Sequence, residues 1–405
     1  MMQTYFIKPL NTCIMRRQNV NKYRKFLDDA GYQEVDSIEE AAFVIVWTCS
    51  FRADVRDVSL RTLRELGAEY PDKKVVIAGC MPDIYPELLQ ESIHDKDMFT
   101  VMPWRKDGEM IASLFPPCGS GSSSSLRDMV HVEKPVTDDI DTYRKEHPDE
   151  NVMFCDQFIK VVVSEGCNAQ CSYCSERLAF PPYRSHSIQD IVAECRRAAL
   201  ASGTYDIALM GDSIGEFGCD TGESFPELLS ALCAIDKRVR ITLNNFHPQF
   251  FLEYFDFLVD LIGKGRIRHI NLPIQSASDK VLGLMNRKYT KDSLSRIFAT
   301  LNNMNYRTFD THIIVGFPGE TEADFRETLD FLCDNKPAYV LASGYMESPG
   351  SDSANLPDKV SEQCKAERLT LASATLSAAG IIVNADGSEL AADRIRRMLG
   401  APKAL

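Results

Sequence analysis

The chain has 405 residues, 44% of them hydrophobic and 25% charged, and a formal net charge of -13. That length leaves room for two or three domains with a substantial core, and the composition excludes a disordered or fibrous protein. The acidic balance argues against a broad phosphate-binding surface, which takes clustered Lys and Arg.

The N-terminal "MMQTYFIKPLNTC" lacks the layout of a secretory signal, and no apolar run is long enough to span a bilayer. The expectation is a cytoplasmic protein with no membrane partner. There the 13 cysteines stay reduced and point to metal ligation or buried thiols.

From residue 4 to 115, apolar β-type runs alternate with helical patterns. "TYFIKPL" reads as a strand, and a helix through "NVNKYRKFLDDAG" follows. "AAFVIVWTC" is a buried strand followed by the helix "ADVRDVSLRTLRELG", and "KKVVIAGC" is a third strand. This alternation predicts a flavodoxin-like parallel sheet with helices on both faces. On the first helix, Arg16, Arg17, Lys22, Arg24 and Lys25 form a local basic group, expected to be a solvated face. "CGSGSSSSL" and "HVEKPVTDDIDTYRKEHPDE" have the Gly, Ser, Pro and charge content of a linker.

The second half carries six strand candidates: "FIKVVVSEG", "YDIALMG", "VRITLNN", "IRHINLPIQ", "FDTHIIVGF" and "AYVLASGY". A helix fits between each pair, such as "SIQDIVAECRRAALASG" after the first. The pattern predicts an α/β partial (β/α)6 TIM-type barrel, whose chemistry lies at the carboxyl ends of the strands. The expected division is 1–117, 118–152 (linker), 153–350 (barrel) and 351–405 (a helical extension).

Just after the first barrel strand, "EGCNAQCSYCSER" places Cys167, Cys171 and Cys174 in a C-x3-C-x2-C spacing. Three thiolates so spaced can hold three irons of a [4Fe-4S] cluster and leave the fourth iron open. The spacing differs from the four-cysteine electron-transfer pattern and from the paired knuckles of structural zinc. Cys13, Cys49 and Cys80 each follow one of the N-terminal strands. Parallel strands bring their carboxyl ends into one crevice, so these three are expected to meet and to hold a second open cluster.

"CNAQCSYC" after a first barrel strand resembles the radical SAM superfamily, with Tyr173 at the usual aromatic position. "NTC", "WTCSFR", "IAGCMP", "LPIQSASDKVLGLMNRKYT", "IIVGFPGETEADFRETLDF" and "YMESPGS" narrow this to a resemblance to the radical SAM methylthiotransferases over roughly residues 4 to 380. The resemblance implies two [4Fe-4S] clusters and S-adenosyl-L-methionine (SAM). In such enzymes one SAM methylates a sulfur held on the auxiliary cluster. A second is cleaved to a 5′-deoxyadenosyl radical, which takes hydrogen from an unactivated carbon that then receives the methylthio group. It also implies an electron donor such as flavodoxin or ferredoxin.

Gly316, Phe317, Pro318 and Gly319 after the fifth strand are candidates to approach adenine, or serve only as a tight turn. Gly211, Asp212 and Ser213 are candidates to contact SAM or to cap a helix. Gln275 and Ser276 could face the cofactor or satisfy backbone groups. Arg184 could bind a carboxylate or make a surface salt bridge. Cys195, Cys233 and Cys333 read as core. Cys155 and Cys219 lie nearer the crevice, and Cys118 and Cys364 carry no assignment. His247 and His312 read as satisfied histidines.

The tRNA- and ribosomal-protein-modifying members usually end in a small β-barrel, the TRAM domain. After "VSEQCKAERLTLASATLSAAG" only "IIVNADGSELAADRIRRMLGAPKAL" follows, read as a turn and a helix. The expectation is therefore sulfur insertion into a peptide or small-molecule substrate, with nucleic acid doubtful. The alternatives are a tRNA methylthiotransferase without its accessory domain and a non-catalytic iron–sulfur or zinc protein.

Overall fold

The computed structural model describes residues 3–10, 14–50, 53–93, 97–118, 121, 125–136, 142 and 154–385. Thr4–Pro9 (β1), Gln33–Glu34 (β2), Phe43–Thr48 (β3), Lys74–Gly79 (β4) and Phe99–Val101 (β5) form a parallel sheet in the order β2-β1-β3-β4-β5. This is the flavodoxin-like order. Val44 to Trp47 and Val75 to Ala78 are buried as continuous runs. They lie among residues of the flanking helices, including Tyr23 and Leu27 of Ile14–Asp29 and Leu60 and Leu63 of Ala53–Glu69. From β1 the chain turns to β2 on one side and returns to β3 on the other. A crevice therefore opens between β1 and β3 at their carboxyl ends. Leu10, just past β1, donates to the Trp47 carbonyl at 3.0 Å and keeps the two strands together up to that edge.

The second sheet contains Val132–Glu133 (β6), Ile159–Val162 (β7), Asp206–Met210 (β10), Arg240–Leu243 (β11), Ile267–Asn271 (β12), Phe309–Val315 (β13), Tyr339–Gly344 (β14) and Ile382–Asn384 (β15). Between β7 and β10, Ser164–Glu165 (β8) and Arg184–Ser185 (β9) pair with each other as an antiparallel ribbon. The main order is β15-β14-β13-β12-β11-β10-β7-β6. The six expected barrel strands run parallel in chain order, with "FIKVVVSEG" divided between β7 and β8. The barrel is open. Its edges are β6, antiparallel to β7, and β15, parallel to β14.

Ile159, Val161 and Val163 pack among helical residues such as Ile191 and Cys195, whereas Val162 on the other face meets Ala208 and Met210. Ser187, Ser224, Ser278, Thr290, Thr321 and Ser361 each cap a helix by accepting a backbone N–H three residues on. Among the described residues, no helix is long and apolar enough to cross a membrane.

Three expectations need correction. The segment expected as linker supplies β6. After the helix Glu362–Ala378 the chain enters β15 where a turn was expected, and the helix expected after it falls on residues 386–405, outside the described part. The basic group on the first helix is not a solvated face. Arg16 and Lys22 are each 3% exposed. Arg16 pairs with Asp212 at 2.8 Å, Lys22 with Glu165 at 2.6 Å, and Arg17 with Asp156. The barrel presents buried carboxylates along this seam, and charges leaving water together need such partners. Only Arg24 and Lys25 stay outside, paired with Glu34 and Asp29.

Candidate active site

Cys49 follows β3 directly and Cys80 follows β4 directly, and both are buried. Thr48 and Gly79 are register partners, and the Cys80 N–H donates to the Thr48 carbonyl at 3.2 Å, so the two cysteines leave adjacent strands side by side. Gly79 has φ of +94°, and a Cβ there would run into the Thr48 backbone, so only glycine allows the approach. Cys13 lies outside the described residues; Leu10 before it is at the same edge.

The loop carrying Cys167, Cys171 and Cys174 is braced from several elements. Gly166, with φ of +81°, donates its N–H to Asp212 at 2.9 Å. The Asn168 N–H donates to Glu216 at 3.0 Å. Ser172 bonds the carbonyls of Met285 and Leu284, and its own carbonyl accepts from the Ser353 N–H at 2.9 Å. Asn286 donates to the Gln170 carbonyl at 2.6 Å. Arg287 is buried and donates to Cys171 Sγ at 3.3 Å, to the Pro273 carbonyl at 2.8 Å and to the Tyr289 hydroxyl at 2.7 Å.

Burial, with Glu216 and Cys174 nearby, pushes the Cys167 thiol far above its ordinary range. Burial, Glu176 and Cys171 push Cys174 up to about 12. Cys167 and Cys174, buried beside carboxylates, become thiolates only next to strong positive charge, which fits an iron–sulfur cluster. Among the described residues, no three His, Cys, Asp or Glu side chains converge on one metal ion. A four-iron cluster asks for a different geometry, with each thiolate on its own iron.

Tyr173 packs against Val281, Met285, Phe317 and Tyr345, together with Ile314. Phe317 meets Tyr345 edge-on with centroids 5.2 Å apart. This apolar cup joins the cysteine loop to the turn after β13. In that turn Gly316 (φ +75°) gives its N–H to Glu320 at 2.6 Å, and Glu320 pairs with Arg368 at 2.8 Å. The Gly316 amide is thus engaged within the turn, and Phe317 after it is fully buried in the cup. Gly319 donates to the Asp358 carbonyl at 3.0 Å.

Gly211 sits where a Cβ would crowd Ser164, Asp212 has both oxygens engaged by Gly166 and Arg16, and Ser213 donates to Glu216 at 2.9 Å. Asp212 braces the cysteine loop directly, and Ser213, which stands at the N-terminus of the short helix Ile214–Glu216, does so through Glu216. Gln275 has φ of +66° and joins β13 through its backbone, to the His312 carbonyl and from the Ile314 N–H. Ser276 is bonded to Thr328 at 3.1 Å in the interior, away from a cofactor role. Arg184 makes an exposed ion pair with Asp128. Cys219 is exposed, with its sulfur 3.7 Å from the Asn168 amide, and the Cys155 side chain lies outside the described part.

The inner face below the cup is polar. Asp310 pairs with His269 at 3.1 Å and accepts from Asn271 at 3.1 Å, and the Asn271 amide reaches His312 at 3.1 Å. Burial lowers the pKa of both His312 and His247.

Arg287, Glu216, Glu320 and Arg368 were not singled out in the sequence. Arg287 stands inside the quoted "LMNRKYT", but its contact with Cys171 crosses 116 residues. No local signal marks such a pair.

A family model described as the radical SAM superfamily matches residues 161–332, and one described as uncharacterized protein family UPF0004 matches residues 7–100. The chain is similar to the tRNA-2-methylthio-N(6)-dimethylallyladenosine synthase of Acetivibrio thermocellus. The identity is 31% over 381 aligned positions, covering 89% of this chain and 74% of that protein. It is 29% identical to the ribosomal protein uS12 methylthiotransferase RimO of Desulfotalea psychrophila, covering 84% and 75% of the two chains. A solved structure of the radical S-adenosylmethionine methyltransferase TsrM from Kitasatospora setae, with cobalamin and a [4Fe-4S] cluster bound, superposes with a TM-score of 0.59. The identity is 14%, over 87% of this chain and 74% of that one, so the likeness is one of fold.

Proposed function

The chain belongs to the radical SAM methylthiotransferase family, and from that premise we propose that it places sulfur, as a methylthio group, on an unactivated C–H carbon of a peptide or small-molecule substrate. As a member it is an enzyme that uses two [4Fe-4S] clusters and SAM, which sets aside a non-catalytic iron–sulfur or zinc protein. Bound here, these cofactors supply the radical and the sulfur that side-chain acids and bases cannot.

In this reading Cys167, Cys171 and Cys174 hold the SAM-binding cluster, and Arg287 offsets thiolate charge at Cys171. Cys13, Cys49 and Cys80 hold the auxiliary cluster. Tyr173, Phe317 and Pro318 form the apolar side of the SAM site, while Gly316 and Gln275 shape its backbone. Asp212 and Ser213 hold the cysteine loop in place. The enzyme works in the cytoplasm, where thiols stay reduced, and takes electrons from a carrier such as flavodoxin or ferredoxin.

The observation that carries the substrate class is the burial of Arg16 and Lys22 in ion pairs with Asp212 and Glu165. Nucleic-acid affinity rests on cations that reach phosphates, and these two are turned inward in a chain of net charge -13. A second reading, action on tRNA, is favoured by the similarity to a relative whose name places it on tRNA. Bulk tRNA should bind weakly at about 50 mM salt, with little further loss at about 200 mM. Tight binding at the low salt with a fall of orders of magnitude overturns the substrate class and restores tRNA.

A further inference from the structure

We propose that Arg16 is a positioning residue that sets the placement of the two cluster-bearing edges relative to each other. The inference rests on the two-cluster reading above. Arg16 lies in the first turn of the Ile14–Asp29 helix, three residues after Cys13. Its Nη2 reaches Asp212 Oδ1 at 2.8 Å and Glu176 Oε1 at 3.5 Å. The other oxygen of Asp212 holds the N–H of Gly166, the residue before Cys167, at 2.9 Å. Glu176 stands two residues after Cys174. One guanidinium from the N-terminal unit thus grips both ends of the radical-site loop through two carboxylates.

The same guanidinium lies 4.0 Å from the centroid of Trp104. The Trp104 backbone N–H donates to Asp83 at 2.7 Å, and Asp83 stands three residues after Cys80 on the short helix Met81–Ile84. Arg16 therefore touches structure anchored beside Cys13, Cys80, Cys167 and Cys174. The planar fork suits this task, since it can bond carboxylates with its edge while its face lies on an aromatic ring. Docking of the two units does not depend on it alone: Lys22 and Arg127 both pair with Glu165 at 2.6 Å, and Tyr85 meets Ser348 at 3.3 Å. That redundancy leaves Arg16 a specific geometric role, because sulfur held on one cluster has to face the carbon activated at the other.

The test is pulsed EPR on the full chain, reconstituted, reduced with dithionite and mixed with SAM, read as the distance distribution between the two reduced clusters. Arg17→Gln is the control: it removes one charge from the same turn, and its partner Asp156 keeps Lys160 at 2.7 Å. Wild type and R17Q should show one narrow intercluster distance. R16Q should keep its iron and lose that narrow distance to a broad, shifted distribution, with R16K falling between, since lysine retains charge without the fork. A narrow, wild-type distribution in R16Q, or equal broadening in R17Q, overturns the proposal. If R16Q does not fold, R16K decides by the same criterion: broadening supports the role and a wild-type distribution overturns it. Failure of the two-cluster reading looks different, because wild type itself would then hold fewer than about eight irons and show no intercluster coupling.

Discussion

Cys49 and Cys80 stand at the ends of neighbouring strands, where the sheet register alone brings them together. Cys167, Cys171 and Cys174 hang on one loop, and that loop is held by Asp212, Glu216, Met285, Asn286 and Arg287 from elements far along the chain. The first site borrows its precision from a ladder of backbone hydrogen bonds. The second needs a dedicated set of side chains, because a loop with three thiols has no ladder of its own. The difference implies two kinds of fragility: the N-terminal edge should be sensitive to backbone geometry, and the barrel loop to charge and hydrogen bonding around it.

The comparison breaks most sharply when either cysteine set is removed. Replacing Cys167, Cys171 and Cys174 by Ala together should lower iron from about eight to about four per chain and abolish 5′-deoxyadenosine formation. Replacing Cys13, Cys49 and Cys80 should cause the same loss of iron yet spare reductive SAM cleavage and stop sulfur transfer. Iron analysis and chromatography of the nucleoside products check both. Reductive SAM cleavage by the first variant would show that the radical site is elsewhere.

A smaller effect tests the bracing. Arg287→Leu removes the buried cation beside Cys171 while leaving every cysteine in place. Cluster retention or SAM cleavage at the barrel loop should fall by about 10–100-fold, as for other partners of metal ligands. The auxiliary site should keep about four irons. Equal loss from both sites would mean that Arg287 serves general folding instead.

The smallest effect probes the sheet-built site. Gly79→Ala forces a Cβ toward the Thr48 backbone at a positive φ. It should lower stability by more than about 1 kcal/mol and loosen the auxiliary cluster before the SAM-binding one. Urea unfolding and iron content after dialysis measure the two effects. If the SAM-binding cluster is lost first, the proposed independence of the two sites is wrong.

The central strands of both sheets, though not β2, β5, β6 or β15, were legible in the sequence because apolar runs such as "FVIVW" and "KVVIAG", punctuated by glycine and by Ser or Thr caps, are local signals. The cysteine spacing of the barrel loop was legible for the same reason. The N-terminal crevice followed from strand order, since cysteines placed after successive parallel strands share one edge.

What the sequence by itself determined about this protein is β1, β3 and β4 of the first sheet, the six barrel strands, their parallel alternation, and the cysteines that follow them. Only the tertiary structure decided that Arg16 and Lys22 face inward, that Arg287 meets Cys171, that Ser276 belongs to the interior, and that β6 and β15 close the edges of the barrel sheet. Backbone preference and apolar periodicity are properties of a few neighbouring residues. The fate of a charge depends on which carboxylate or thiol is desolvated beside it, often more than a hundred positions away.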